Sequence, residues 1–157
     1  MKKIINLPDN IYSAIPSFSG EYMYLIGPNI WVLCIDNQRI IKKILNTRHS
    51  YVAVSCSTPR WGYISCKDKT IECVIFQDEK GDEELCHLSL PFKNEADSRL
   101  AFSPDNADEC WIQLNSSIIF WCLKHNEEKL EPVHTIDNSR KHCIIESCRS
   151  HKSSMRR

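Results

Sequence analysis

The sequence predicts an all-β chain of three four-stranded antiparallel units, with one further strand flanking them at each end. Three observations predict it. Ile occurs nineteen times and Ala only five; Ala is the best helix former, whereas Ile loses rotamer freedom on a helix and packs well on a pleated surface. One pattern recurs three times: a short apolar segment closing on a Ser-containing turn, a second apolar segment, a tight polar turn, and a third apolar segment. With Leu7, Leu45, Leu90 and Ile136 taken as equivalent ends, the units are 38, 45 and 46 residues long.

Taken in order, the first unit has strands at 11–15, 22–26 and 30–35, the last two joined by the turn Gly27-Pro28-Asn29. Its fourth strand, 39–45, carries Lys42 and Lys43, charges that suit an outer edge because they discourage edge-to-edge pairing. The second unit repeats this at 51–55, 61–65, 70–76 and 85–90, with Lys67-Asp68-Lys69 as its turn and His87 on its outer strand. In the third, residues 99–106 lead into 110–114, Asn115-Ser116-Ser117 turns the chain, and 118–123 and 133–136 follow, Pro132 and His134 marking the edge. Unbroken apolar runs such as 30–35 and 118–123 are expected of strands covered on both faces. Residues 3–7 and 142–146 supply the flanking strands.

The stretch Ala101-Phe102-Ser103-Pro104-Asp105-Asn106, followed by two strands of which the second ends Phe120-Trp121-Cys122-Leu123, resembles the WD-repeat pattern of β-propellers. The unit length agrees with the about 40–45 residues of a propeller blade. Alternating short strands alone also fit a β-sandwich or a small α+β domain; the period and the Ala-Phe-Ser-Pro-Asp turn favour the propeller. The match is degenerate, since no Gly-His dipeptide precedes the first strands and the Trp-Asp position reads Trp121-Cys122. Trp61-Gly62-Tyr63-Ile64 and Asp68-Lys69-Thr70-Ile71 also look like the divergent propellers of Rho guanine-nucleotide exchange factors and Roco-type kinases. The resulting expectation is a partial β-propeller over 1–146, with repeats at about 8–45, 46–90 and 91–136, and a basic, disordered tail at 147–157.

Closed propellers have about four to eight blades. Three blades in an open arc leave the apolar faces of the end sheets uncovered, more than a soluble monomer tolerates. The missing blades are expected from a longer chain, from self-association or from another subunit.

The remaining features bound the function. The formal net charge of zero over 157 residues, with 25% charged side chains, disfavours a basic nucleic-acid binder, so no nucleic acid is expected as partner. No apolar run approaches the about 20 residues of a membrane span. Nine cysteines are an odd number, and residues 1–7 lack the apolar core of an export signal; thiols in a reducing cytoplasm are expected. His142, Cys143, Cys148 and His151 invite a metal reading, but zinc sites show paired spacings such as C-x₂-C, absent here, so neither metal nor other cofactor is expected. No nucleophile elbow, P-loop, dinucleotide glycine pattern or H-E-x-x-H occurs, and four glycines give little material for a phosphate-cradling loop.

The acidic run 78–84 reads as a solvated loop between third and fourth strands, and 139–157, with six cations against Glu146, as a solvated tail or an electrostatic contact. If the chain is a propeller, the resemblance implies that partners dock on the edge formed by the loop entering each first strand and the turn between second and third strands. Arg48, His49, Lys67, Lys69, Phe92 and Lys93 are the binding candidates there, Arg48 and Phe92 foremost because Arg and aromatics anchor interfaces. The expected function is a non-catalytic protein–protein interaction scaffold. The alternatives are a regulatory propeller segment in small-GTPase signalling, implied by the second resemblance, and an enzyme of unknown reaction.

Overall fold

The computed structural model describes residues 6–7, 10–45, 50–67, 69–91, 98–114, 117–123 and 130–137. They form twelve strands and no helix: β1 (Ser13–Pro16), β2 (Tyr22–Ile26), β3 (Ile30–Cys34), β4 (Arg39–Ile44), β5 (Tyr51–Val54), β6 (Trp61–Lys67), β7 (Thr70–Phe76), β8 (Glu84–Pro91), β9 (Ser98–Phe102), β10 (Glu109–Leu114), β11 (Ser117–Leu123) and β12 (Leu130–Asp137). Each consecutive set of four makes one antiparallel meander sheet, β1-β2-β3-β4, β5-β6-β7-β8 and β9-β10-β11-β12. Short connections join neighbours in space, as hairpin turns require.

The sheets stack face to face, and the period-2 alternation of side chains assigns each residue to one junction. From the first sheet, Tyr24, Ile26, Ile30 and Val32 pack on Val52, Trp61, Tyr63, Val74 and Phe76 of the second. From the opposite face of the second sheet, Ala53, Ile64, Ile71, Cys73, Ile75 and Cys86 pack on Leu100, Phe102, Cys110 and Ile112 of the third. Thus β7 alternates strictly, Cys73 and Ile75 facing the third sheet while Val74 and Phe76 face the first. This double coverage is why β7 is apolar at nearly every position. Gly62 lies on the face of β6 turned toward the third sheet: a Cβ there would lie 2.6 Å from the Val74 carbonyl oxygen and 3.2 Å from Leu100 Cδ2.

The outer strand of each sheet carries the same irregularity. The ladder of third and fourth strands shifts register at Val32/Leu33, at Ile75/Phe76 and at Phe120/Trp121, so that Ile41, Leu85 and Val133 are each skipped. A bulge increases twist and disrupts an edge as a pairing template. Its recurrence between the third and fourth strands of all three sheets is the repeat written in backbone geometry.

Most strand expectations hold to within a residue or two. β1 begins at Ser13 rather than 11, although the Tyr12 amide already donates to the Ile26 carbonyl at 2.9 Å. β6 extends to Lys67, which pairs with Thr70, so the expected three-residue turn is shorter. β12 starts at Leu130 rather than 133, because the bulge admits Pro132 into the edge strand. Asn6 and Leu7 are exposed and outside any strand, while 3–5, the strand expected at 142–146 and the tail 147–157 lie outside the described residues.

Candidate interaction surface

Loops gather at two opposite edges of the stack. One edge holds the turns between second and third strands. Of the candidates placed there, Lys69 is described in full: it is exposed and occupies the left-handed region, φ 64°, in the turn after β6. The Lys67 backbone closes the ladder next to it. Arg48, His49, Phe92 and Lys93 lie outside the described residues, as do the metal-reading residues His142, Cys143, Cys148 and His151.

The other edge, made of the loops between first and second strands and between third and fourth strands, contains a network that the sequence reading missed. Its centre is Trp61 at the start of β6, fully buried between the first two sheets. The indole stacks on Tyr24 of the first sheet, centroids 4.1 Å apart and planes 20° apart, and on Phe76, 4.7 Å away. An aromatic buried with a polar atom needs a partner for it. The β7–β8 loop supplies both partners: Trp61 Nε1 donates to the Asp78 carbonyl at 3.0 Å and the Tyr24 hydroxyl to the Glu79 carbonyl at 2.8 Å. Desolvation raises the Tyr24 phenol well above its ordinary pKa, helped by the neighbouring Glu79 and Asp78 carboxylates. It is therefore a permanent donor.

The same loop reaches across to the first sheet. Glu79 Oε1 accepts the Ser19 amide at 2.7 Å, and Oε2 accepts the hydroxyls of Ser19 at 2.6 Å and Ser17 at 3.4 Å. Lys42 of β4 donates to the Gly81 carbonyl and lies 5.3 Å from the centre of the Phe76 ring. Gly81 takes φ +78°, a left-handed conformation natural to glycine, with Trp61 directly beneath it. The acidic run is thus a clasp between sheets, whose Asp78 carboxylate also accepts the Asp82 and Glu83 amides. Held by this clasp, the turn Ser17-Phe18-Ser19-Gly20 presents the Phe18 ring to solvent at 48% exposure. The signal was available: an aromatic inside a Ser-rich turn between Pro16 and Gly20 has no strand face on which to hide.

A second clasp joins the second and third sheets. Arg60 Nη1 donates to Asp108 Oδ1 at 2.6 Å and to the Ala107 carbonyl at 3.0 Å, while Nε donates to Gln77 at 3.0 Å. Asn106 orders the receiving loop through its own acceptance of the Asp108 amide at 3.0 Å. The described loops of this edge carry eight carboxylates against two cations, Arg60 and Lys80, so its field is negative.

Buried polar groups elsewhere serve packing. Cys73, Cys86 and Cys110 meet in the core between the second and third sheets. Burial pushes the Cys73 and Cys110 thiols well above their usual range, which keeps them neutral and unreactive. The Tyr63 phenol is pushed up to about 12, by burial first and then by Glu72 and Glu84. Among the described residues no group of three or more His, Cys, Asp or Glu is placed to hold a metal ion, and no helix is long and apolar enough to cross a membrane.

No protein-family model and no curated protein sequence matches the chain. Solved structures do. The WD40 domain of Toxoplasma gondii coronin superposes with a TM-score of 0.65 at 10% identity, over 86% of this chain and 37% of that one. KlAtg21, solved in complex with the coiled-coil of AgAtg16, gives 0.61 at 16% identity, over 83% and 43%. A 6-phosphogluconolactonase candidate from Bacteroides fragilis gives 0.61 at 13% identity, over 82% and 39%. The likeness shows the fold, a WD-repeat-like β-propeller arrangement of three four-stranded blades. The chain spans about two fifths of the length of the propellers it matches.

Proposed function

We propose that this chain is a non-catalytic protein–protein interaction scaffold that works in the cytoplasm and docks its partner through blade-edge loops. The observation that carries the reading is the Glu79 clasp: it fixes the Ser17–Ser19 turn, so Phe18 stays exposed on a preordered loop. A solvent-exposed aromatic held in place loses little freedom on binding and is the residue type that anchors interfaces. The negative field around it suits a partner segment carrying Lys or Arg beside an apolar side chain. The free thiols of Cys34, Cys73 and Cys110 fit a reducing compartment. That KlAtg21 was solved with a coiled-coil segment of another protein illustrates docking by a chain of this fold. The residues singled out from the sequence, Arg48, His49, Lys67, Lys69, Phe92 and Lys93, form the second docking candidate.

Replacing Phe18, and separately Lys69, by a photo-crosslinking amino acid in cells tests the reading. A defined protein adduct from position 18, weakened by Glu79→Gln, is the expected result. An adduct from position 69 alone moves the docking edge to the lysine-bearing side. Failure of both positions to capture any protein refutes the scaffold reading.

A further inference from the structure

In all three blades the first strand is followed by a buried serine whose amide donates to a carbonyl at the entrance of the second strand: Ser17 to Tyr22 at 2.9 Å, Ser55 to Arg60 at 3.0 Å and Ser103 to Glu109 at 2.9 Å. The second blade's turn closes on itself. Its Ser55 hydroxyl oxygen accepts the Ser57 and Thr58 amides at 3.3 Å and the Thr58 hydroxyl at 3.1 Å. The first blade's turn is tied outward instead: Ser19 Oγ accepts the Glu21 amide at 3.1 Å and donates its own proton to Glu79 Oε2 at 2.6 Å, 60 residues away in the sequence. One exposed hydroxyl is thus the joint between the Phe18 turn and the Asp78–Gly81 clasp.

That hydroxyl is open to chemistry from solvent. Of the described serines, Ser19 and Ser57 are the exposed ones that lie in turns. Gly20, beside Ser19 at φ +80°, has open space where a side chain would stand, so an enzyme cleft can close over the tip of the turn. Glu21 follows two residues after Ser19, within the excess of carboxylates that marks this edge, whereas Ser57 is followed three residues on by Arg60. A negative field draws in an enzyme whose substrate cleft is cationic.

We propose that Ser19 is a phosphorylation site for an acid-directed serine kinase, and that the phosphate opens the Glu79 clasp and frees the Phe18 turn. In the transfer, Ser19 Oγ bonds to the γ-phosphorus of a nucleoside triphosphate and the bond from that phosphorus to the β,γ-bridging oxygen breaks. The hydroxyl proton passes to the kinase's catalytic carboxylate, and the nucleoside diphosphate leaves. The ester has no proton to offer Glu79, and the phosphate brings a charge of about −1.5 to −2 to an oxygen that stood 2.6 Å from the carboxylate. The clasp loop cannot neutralise it, since Lys80 stands there against Asp78, Glu79, Asp82 and Glu83, and Lys42 is committed to the Gly81 carbonyl. A phosphate set beside carboxylates disrupts by like-charge repulsion. The loss of docking at Phe18 rests on the docking reading above; the site and the opening of the clasp do not.

Two measurements on the 157-residue chain test this. Incubation with a casein-type acid-directed kinase and ATP, mapped by mass spectrometry, should place phosphate on Ser19, with none on that turn in Ser19→Ala and a rate about tenfold lower in Glu21→Gln. In a chain carrying genetically encoded phosphoserine at position 19, the amides of 17–22 and 78–83 should exchange hydrogen about tenfold faster or more, with the third blade unchanged. Ser19→Ala keeps the amide bond to Glu79 Oε1 and adds no charge, so its rise should be much smaller. The adduct from position 18 should weaken in the phosphoserine form. A Ser19 that the kinase leaves bare, a phosphoserine chain that exchanges like the unmodified one, or a rise that Ser19→Ala matches overturns the proposal. Faster exchange in a chain that yields no adduct from position 18 upholds the site and refutes the docking reading alone.

Discussion

Trp61→Ala is the sharpest perturbation of the stack. The side chain is completely buried, and removing an aromatic of this size from a core costs about 3–5 kcal/mol. The Asp78 carbonyl also loses the indole donor at 3.0 Å, which adds about 1 kcal/mol. The sum, about 4–6 kcal/mol, is a large part of the about 5–15 kcal/mol that holds a domain together. With a urea dependence of about 2 kcal/mol per molar, the midpoint should fall by about 2–3 M. Trp61→Phe is the control: it keeps a ring against Tyr24 and Phe76 but deletes the N–H, and should lower the midpoint by only about 0.5–1 M. The assay is urea unfolding followed by far-UV circular dichroism, which does not depend on the removed fluorophore. Blade stacks are stabilised by nearest-neighbour junctions, so the alanine variant should also unfold in two steps, with the first blade released before the other two. A midpoint shift below about 0.5 M for Trp61→Ala, or equal shifts for both variants, would refute the claim that stacking on this indole joins the first two blades.

Three further outcomes follow from the same contacts. Gly62→Ala should lower the melting temperature by about 3–9 °C, because its Cβ would press on the Val74 carbonyl, backbone that cannot step aside; an unchanged calorimetric melt contradicts this. Arg60→Met keeps the aliphatic stem but removes the bonds to Asp108 and Ala107, at an expected cost of about 1–2 kcal/mol; a double-mutant cycle with Asp108→Asn in urea should show coupling, and purely additive effects would exclude the clasp. Stability should be flat to pH 9.0, the ordinary thiol pKa, and fall above it. The folded-state values of Cys73, Cys110, Tyr24 and Tyr63 are all raised, so the unfolded chain ionises first and the folded one keeps its protons until about 12 for Tyr63. Each such thiol withdraws about 1.4 kcal/mol per pH unit. Urea midpoints at pH 7, 9 and 10 check this, and no drop between 9 and 10 would show these thiols to be accessible.

What was legible in the sequence was what depends on local pattern. Strand positions followed from apolar runs and turn residues, and blade order followed from the repeat, so the β2 and β7 bounds were met exactly as read while β12 was missed by three residues where a bulge hides the period. What was not legible depends on contacts between blades. Glu79 and Ser19 are 60 residues apart, and a run of five carboxylates around Lys80 looks the same whether it is solvated or folded back onto a serine turn. Nor does a Trp-Gly dipeptide announce that its indole will be capped by a carbonyl 17 residues later.

The two junctions differ in chemistry, and that difference accounts for the placing of the acidic loop. Between second and third blades the buried core is aliphatic and thiol around one phenyl ring, Ile64, Ile71, Ile75, Leu100, Ile112, Phe102 and the three cysteines, and none of these side chains brings a strong hydrogen-bonding atom to satisfy. Between first and second blades it is aromatic, and Tyr24 and Trp61 bring a hydroxyl and an indole N–H into a dry interface. Burying those two donors without acceptors would cost about 1–3 kcal/mol each. The Asp78–Gly81 turn must therefore fold inward to offer its carbonyls, and once it does so its side chains can no longer all face water. Glu79 then lies against the neighbouring blade, where the Ser19 amide and two hydroxyls receive it. A blade with aliphatic residues at positions 24 and 61 would have no need of such a turn, so the clasp, the fixed turn at Phe18 and the aromatic stack form one dependent arrangement.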